Sequence, residues 1–246
     1  MIENSIIKTN ERGEKGLVFA LEFPSLHLIE LAAHVGFDAI SLDGEHGYFN
    51  ENAIDDACRV ANGYGLSVIA RVPDNAAYQI NLFLDRGIQG VTGPHIETGA
   101  QAQLLADSCL FPPEGTRSWG GGRGTEFNDD HILENKYGGK LEFAKWSNKN
   151  MIIMAQIESK LAWDNLDEIL AVKGLTGIAG GPNDFAASLG FPGQPDHSER
   201  VAATLDADNR ARAQGKIAGG DLIITLSASD LMKDTARAFV TQQRNK

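Results

Sequence analysis

From Leu17 onward the chain alternates short apolar or β-branched runs with amphipathic segments of about ten to fifteen residues. That alternation restricts it to repeated βα units around a parallel sheet. Eight runs read as strands: LVFALEF (17–23), DAISLDGE (38–45), SVIARV (67–72), GVTGPHI (90–96), MIIMAQIE (151–158), LTGIAGG (175–181), KIAGG (216–220) and DLIITLSA (221–228). Helical patterns follow most of them: SLHLIELAAHV, ENAIDDACRVANGYG, NAAYQINLFLDRG, GAQAQLLADSCL, SKLAWDNLDEILAVKG, HSERVAATLDADNRARAQG and ASDLMKDTARAFVTQQ. Gly36, Gly65, Gly87 and Gly174 stand where left-handed helix C-caps are expected. The strands are almost continuously apolar, and no GxGxxG follows the first, so a (β/α)8 barrel is favoured over an open Rossmann-type sheet. One domain, residues 1–246, accommodates it.

Composition narrows the function classes. The chain has 246 residues, 42% hydrophobic and 22% charged, with a formal net charge of -11. No Lys/Arg run exceeds an isolated pair, so there is no footprint for nucleic acid. The N-terminal stretch MIENSIIKTNERGEKG lacks an apolar core, and no apolar run reaches the roughly 18 residues of a membrane span. A cytoplasmic protein with no membrane partner is expected. Cys58 and Cys109 lie in helical patterns without metal-ligand spacing, so two buried free thiols are favoured over a disulfide.

Polar groups stand where the apolar runs stop. MIIMAQIE ends on Glu158, and Gly180-Gly181-Pro182-Asn183-Asp184 follows the next strand. In a parallel barrel the strand ends form the catalytic face, so the two carboxylates are placed to share one divalent cation. Their alternative role is helix N-capping. Asp43, Glu45 and His46 close the second strand, with Asp43 spaced to hold the His46 imidazole as a general base; the alternative is a surface histidine. Arg71 sits in the apolar run SVIARV and must meet an anion or carbonyl, or else pair with Glu45 or Glu158. Oxygen ligands alone suit Mg2+ or Mn2+ and leave coordination positions for an α-keto acid.

The segments FDAISLDGEHG, SVIARVP, FLDRGIQG, FPPEGTRS, AQIES and GGPNDFAASLG, in this order and spacing, resemble the HpcH/HpaI aldolase family over roughly residues 15–240. The resemblance implies a TIM barrel of the phosphoenolpyruvate/pyruvate type and a class II aldolase. Such an enzyme cleaves a 4-hydroxy-2-oxo acid, or a 2-dehydro-3-deoxy sugar acid, reversibly to pyruvate and an aldehyde through a metal-stabilised enolate. It implies Glu158 and Asp184 as ligands of Mg2+ or Mn2+, with Co2+ as a third option. Arg71 would polarise the keto oxygen, Gln156 would be an active-site glutamine, and His46 with Asp43 an acid/base dyad. The backbone at Gly181, Pro182, Asn183 and Asp184 would cradle the carboxylate of the keto acid, and Asp85 would reach a neighbouring subunit's site. A homo-oligomer, a hexamer built as a trimer of dimers, and a place in aromatic compound catabolism are further implications. His95, in PHIET, departs from the family pattern and has no role assigned by it. An acyl-CoA lyase of the citrate-lyase β type, or a non-catalytic keto-acid-binding barrel, are the competing functions; the first needs a basic site for CoA phosphates that the sequence does not offer. A Schiff-base aldolase is disfavoured because Lys160 already lies in a helix pattern.

Two segments break the pattern. Residues 111–150 form a long glycine-rich stretch expected to be a functional loop. At Gly220-Asp221 two strands abut, although parallel neighbours need a crossover of about a dozen residues. The resemblance implies a helix-seven segment at this place, and unless the two strands merge into one long strand the geometry predicts a break, with Gly220 and Asp221 separated by far more than the roughly 1.33 Å of a peptide bond. The last helix, DLMKDTARAFV, carries an apolar face suited to self-association.

Overall fold

A computed structural model describes residues 1–245. The elements run in the order α1 (Ser5–Glu11), β1 (Gly16–Leu21), α2 (Leu26–Val35), β2 (Ala39–Asp43), α3 (Glu51–Gly63), β3 (Ser67–Arg71), α4 (Ala77–Asp85), β4 (Gly90–Gly93) and α5 (Gly99–Cys109). The short helix α6 (Asp130–Ile132) and α7 (Lys140–Lys149) lead to β5 (Ile152–Ile157), α8 (Lys160–Asp164), α9 (Leu166–Leu170), β6 (Gly177–Gly180), α10 (Pro182–Ser188) and α11 (Ser198–Ala213). Then come β7 (Ile217–Ala218), the single turn α12 (Gly219–Leu222), β8 (Ile223–Ser227) and α13 (Ala228–Arg244).

All eight strands are parallel and wind in the order β7-β6-β5-β4-β3-β2-β1-β8. This is a curled sheet of the (β/α)8-barrel type with its seventh stave cut short, and no ladder joins its edge strands β7 and β8 among the described residues. β7 pairs only with the start of β6, Gly177 with Ile217 and Ile178 with Ala218. The chain therefore never climbs to the far end of the barrel. One helical turn, with the Ile223 N–H bonded back to the Gly219 carbonyl, carries it straight to the start of β8 beside Gly16. Gly220 and Asp221 lie inside that continuous turn, so the expected break does not exist: helix seven and the upper half of strand seven are both missing, and the return trip they would make is not needed.

Inside the barrel, Ile6 of α1 is fully buried with Val18, Ala39, Ile69, Ile152 and Met154. The helix α1, not foreseen from sequence, thus plugs the N-terminal end of the barrel. Asn4 starts it, accepting from the Ile6 and Ile7 N–H groups and donating to the carbonyls of Gln89 and Asn150. The larger core lies between strands and outer helices and includes Leu42, Val68, Ala155, Ile157, Leu105 and Phe83. Gly36, Gly65 and Gly87 adopt left-handed φ values, as expected of C-caps, but Gly174 does not. It is glycine because a methyl group there would press on Leu110 and Ala106. The 111–150 stretch is not only loop. It contains α7, whose buried Phe143, Ala144 and Ser147 anchor an aromatic group with Phe111, Tyr137 and Trp146. Both cysteines are buried free thiols.

Candidate active site

Register brings the first two groups together. Asp43 and Arg71 are the last residues of β2 and β3 and are direct partners in the ladder. Arg71 donates from Nε to Asp43 Oδ1 at 3.0 Å and from Nη2 to Oδ2 at 2.6 Å, a bidentate fork. Its Nη1 lies 2.9 Å from Glu45 Oε2. Burial works against the charge on Arg71, but the hydrogen bonds to Asp43 and the charges of Asp43, Glu45 and Glu158 hold its pKa above the usual value. Burial likewise opposes ionised Asp43, yet Arg71 and the backbone N–H groups of His46 and Glu45 keep its pKa below the ordinary carboxylate range.

That backbone contact corrects an expectation. Asp43 Oδ1 accepts the main-chain N–H groups of Glu45 and His46, each at 3.1 Å, and so shapes the turn after β2. It does not hold the His46 ring. The imidazole is largely exposed, and its carboxylate neighbour is Glu45, with Nε2 3.9 Å from Oε2.

Glu158 follows β5 and is 2% exposed. Gln156 Nε2 donates to its Oε2 at 2.7 Å, and the His95 N–H donates to its Oε1 at 2.8 Å. Desolvation pushes the Glu158 pKa up; His95 opposes this, and the negative charges of Glu45 and Asp184 add to it. Gly181 makes the packing possible, since any side chain there would collide with the Glu158 carboxylate and crowd Gln156 Nε2. Asp184, in the first turn of α10, is exposed and acts on Glu158 through its charge. Neither carboxylate caps a helix. Ser159 caps α8, and α10 begins at Pro182 with no side-chain cap.

His95 is the residue whose part the sequence did not disclose. It lies just past β4 with φ 51°, and the Asn75 amide fixes the preceding Pro94 carbonyl at 2.6 Å. Its ring bridges two carboxylates, Nε2 standing 3.1 Å from Glu45 Oε1 and Nδ1 3.2 Å from Glu158 Oε1. The rim is therefore a continuous chain of polar contacts running Asp43, Arg71, Glu45, His95, Glu158. The only local signals for it were a Pro-His pair after a strand and the nearby acidic residues. No three His, Cys, Asp or Glu side chains among the described residues already converge as a metal cage.

Asp85 stands apart from this chain. It ends α4, where Gly120 packs directly on its carboxylate and Oδ1 is buried without a partner. Burial raises its pKa, against Arg117 and Arg86. Lys160 is held on α8 by Asp164 at 2.8 and 2.6 Å, away from a Schiff-base position at a strand end.

A model described as HpcH/HpaI aldolase/citrate lyase matches residues 18–244. The chain is 32% identical over 217 residues to a 4-hydroxy-2-oxovalerate aldolase of Rhodococcus jostii, covering 88% of this chain and 80% of the relative. It is 35% identical over 190 residues to the 5-keto-4-deoxy-D-glucarate aldolase of Escherichia coli K12, covering 77% of this chain and 71% of the relative. The crystal structure of an HpcH/HpaI aldolase from Desulfitobacterium hafniense superposes with a TM-score of 0.83 at 24% identity over 96% of both chains.

Proposed function

The chain belongs to the HpcH/HpaI aldolase/citrate lyase family, and from that premise we propose that it is a carbon–carbon lyase of the class II pyruvate-aldolase type. It cleaves a 4-hydroxy-2-oxo acid, or a 2-dehydro-3-deoxy sugar acid, reversibly into pyruvate and an aldehyde. The observation that carries this reading is Arg71, fixed by Asp43 and Glu45 at the same barrel rim as the buried Glu158.

The donor set fits a divalent cation. Each Glu158 oxygen is engaged by one protein N–H, further negative charge surrounds it, and Gln156 Oε1 is buried beside it without a partner. Glu158 and Asp184 would hold the ion, with Mg2+ or Mn2+ as the hard-ion choice. When bound, the cation polarises the keto oxygen as a Lewis acid.

The chain's own residues supply the rest. A guanidinium has five N–H donors. Three sides of Arg71 face Asp43 and Glu45, which leaves one N–H on each Nη for the keto oxygen. His46, exposed at the mouth, takes the C4 hydroxyl proton. The C3–C4 bond breaks, its electron pair moving into the C2–O unit as the enolate of pyruvate, while the C4 oxygen becomes the aldehyde carbonyl. Arg71 stabilises the negative charge that develops on the enolate oxygen, and a proton from water adds at C3 to complete pyruvate while His46 releases the proton it took to the resulting hydroxide. Backbone groups at Gly181, Pro182, Asn183 and Asp184 receive the substrate carboxylate.

The protein works as a homo-oligomer in the cytoplasm. Among the described residues no helix is long and apolar enough to cross a membrane. Support for assembly comes from α13, which buries only Ala228 and leaves Leu231, Met232, Phe239 and Val240 exposed beside Ile224 and Leu226 of β8. Asp85 would then serve a neighbouring subunit's site. The decisive measurement is pyruvate release from 4-hydroxy-2-oxo acids. Release that stops with EDTA and returns with Mg2+ or Mn2+ is expected, and release untouched by chelator would overturn the metal-dependent reading.

A further inference from the structure

We propose that His95 donates its Nδ1 to the cation held by Glu158, so that the site favours a borderline ion such as Co2+ over Mg2+. This rests on the metal-dependent reading above and deepens it. Two donor atoms at right angles around an ion, each about 2.0–2.2 Å from it, stand about 3 Å apart. Glu158 Oε1 and His95 Nδ1 are 3.2 Å apart. Both ring nitrogens face a carboxylate oxygen within 3.2 Å.

The second nitrogen strengthens the assignment. Glu45 Oε1 is 3.1 Å from Nε2, and Glu45 is itself anchored by Arg71. A carboxylate on one imidazole nitrogen with the metal on the other is the recurring arrangement that fixes the tautomer of metal-binding histidines and raises their basicity. The backbone agrees. His95 occupies the left-handed region, uncommon for a non-glycine residue, and is kept there by the Asn75 amide on Pro94 and by its own N–H on Glu158. The ring remains 60% exposed on its side chain, so an ion reaches it from the mouth. An imidazole added to an otherwise oxygen-only site moves selectivity from hard cations toward Co2+, Ni2+ and Zn2+.

The test is calorimetric titration of the EDTA-stripped, full-length chain with CoCl2 and with MgCl2, alongside the visible absorption of the Co2+ form. The variants are His95→Asn, which tolerates the left-handed backbone, and His95→Gly, which adopts it freely. Removing even an outer-shell partner typically weakens metal binding about 10–100-fold. Loss of a direct ligand should therefore lower Co2+ affinity by about a hundredfold or more and shift the Co2+ spectrum, with Mg2+ affinity changing far less. Unchanged Co2+ to Mg2+ preference in both variants, or equal loss for both ions, would overturn the proposal. A wild-type chain that binds neither ion would instead bring down the metal-dependent reading itself.

Discussion

Arg71 is gripped at Nε and Nη2 by the two oxygens of Asp43, at 3.0 and 2.6 Å, because the two residues end neighbouring strands as ladder partners. The sheet therefore aims the guanidinium, and Glu45 in the turn after β2 holds its Nη1. Substituting Arg71→Lys keeps the charge but removes the planar fork. Turnover should fall on the order of a hundredfold or more, the scale for losing a donor to a developing oxyanion, while the thermal midpoint changes little. Steady-state kinetics beside a melting curve check this, and an unchanged kcat would make Arg71 a purely structural residue.

Asp43→Asn retains an oxygen for the Glu45 and His46 N–H groups but puts an amide against Arg71, so the bidentate grip is lost. The expected result is a lower kcat with substrate KM and the fold largely retained. A variant with wild-type kcat would show that Glu45 alone suffices to aim the guanidinium.

Gly181→Ala drives a methyl group into the Glu158 carboxylate. Since Glu158 is buried and flanked by Gln156 and His95, it must shift, and both cation binding and pyruvate release should drop sharply. Calorimetry with MnCl2 decides the matter; wild-type affinity would mean that Glu158 is not the ligand.

Stability should depend on pH through Glu126, far from the catalytic rim in sequence. Its Oε1 receives the N-terminal ammonium, Lys136 and the Tyr137 hydroxyl. Burial opposes its ionisation, but these donors hold its pKa below the usual carboxylate value. A carboxyl with a depressed folded pKa contributes stability that is full above its unfolded value, about 4.3, and is lost as pH falls through the folded one. Urea unfolding of the wild type and Glu126→Gln should therefore differ at pH 7 and converge in acid. A gap that widens on acidification would contradict the assignment.

The apolar face of α13 offers a test of assembly. Phe239→Glu places a charge among Leu231, Met232 and Val240, all exposed on the single chain. Light scattering after size exclusion should report a smaller species than the wild type. A wild-type chain that is already monomeric and fully active would remove the need for a partner.

Much of this was legible in the sequence because burial and strand ends leave strong marks. All eight strands were recognisable from apolar runs, and Glu158, Arg71 and Asp43 from polar residues closing them. What failed did so for physical reasons. KIAGG looked like a full strand, but Gly219 and Gly220 belong to a turn, and only Ile217 and Ala218 join the sheet. α7 hid inside a glycine-rich stretch because few of its residues are buried and its contacts are aromatic. The spacing of Asp43 and His46 correctly suggested contact but could not say that the backbone, not the ring, makes it. His95 depended on a backbone twist and on partners more than 40 residues away on either side, and no local pattern encodes that.

The abbreviated seventh stave has a mechanical meaning. A closed barrel shares any local strain around its whole circumference, whereas a sheet with two rims can part at one place without disturbing the others. Here that seam runs between β6 and β8, where no ladder joins β7 to β8 among the described residues and only two residue pairs tie β7 to β6. The upper ends of β6 and β8 thus form the pliant side of an otherwise stiff cylinder. Amide protons of β1 to β5 should exchange through global unfolding, and those of β7 through local opening. The candidate site residues are distributed accordingly: Asp43 and Arg71 end β2 and β3 and Glu158 follows β5, while Asp184 follows β6, beside the open seam.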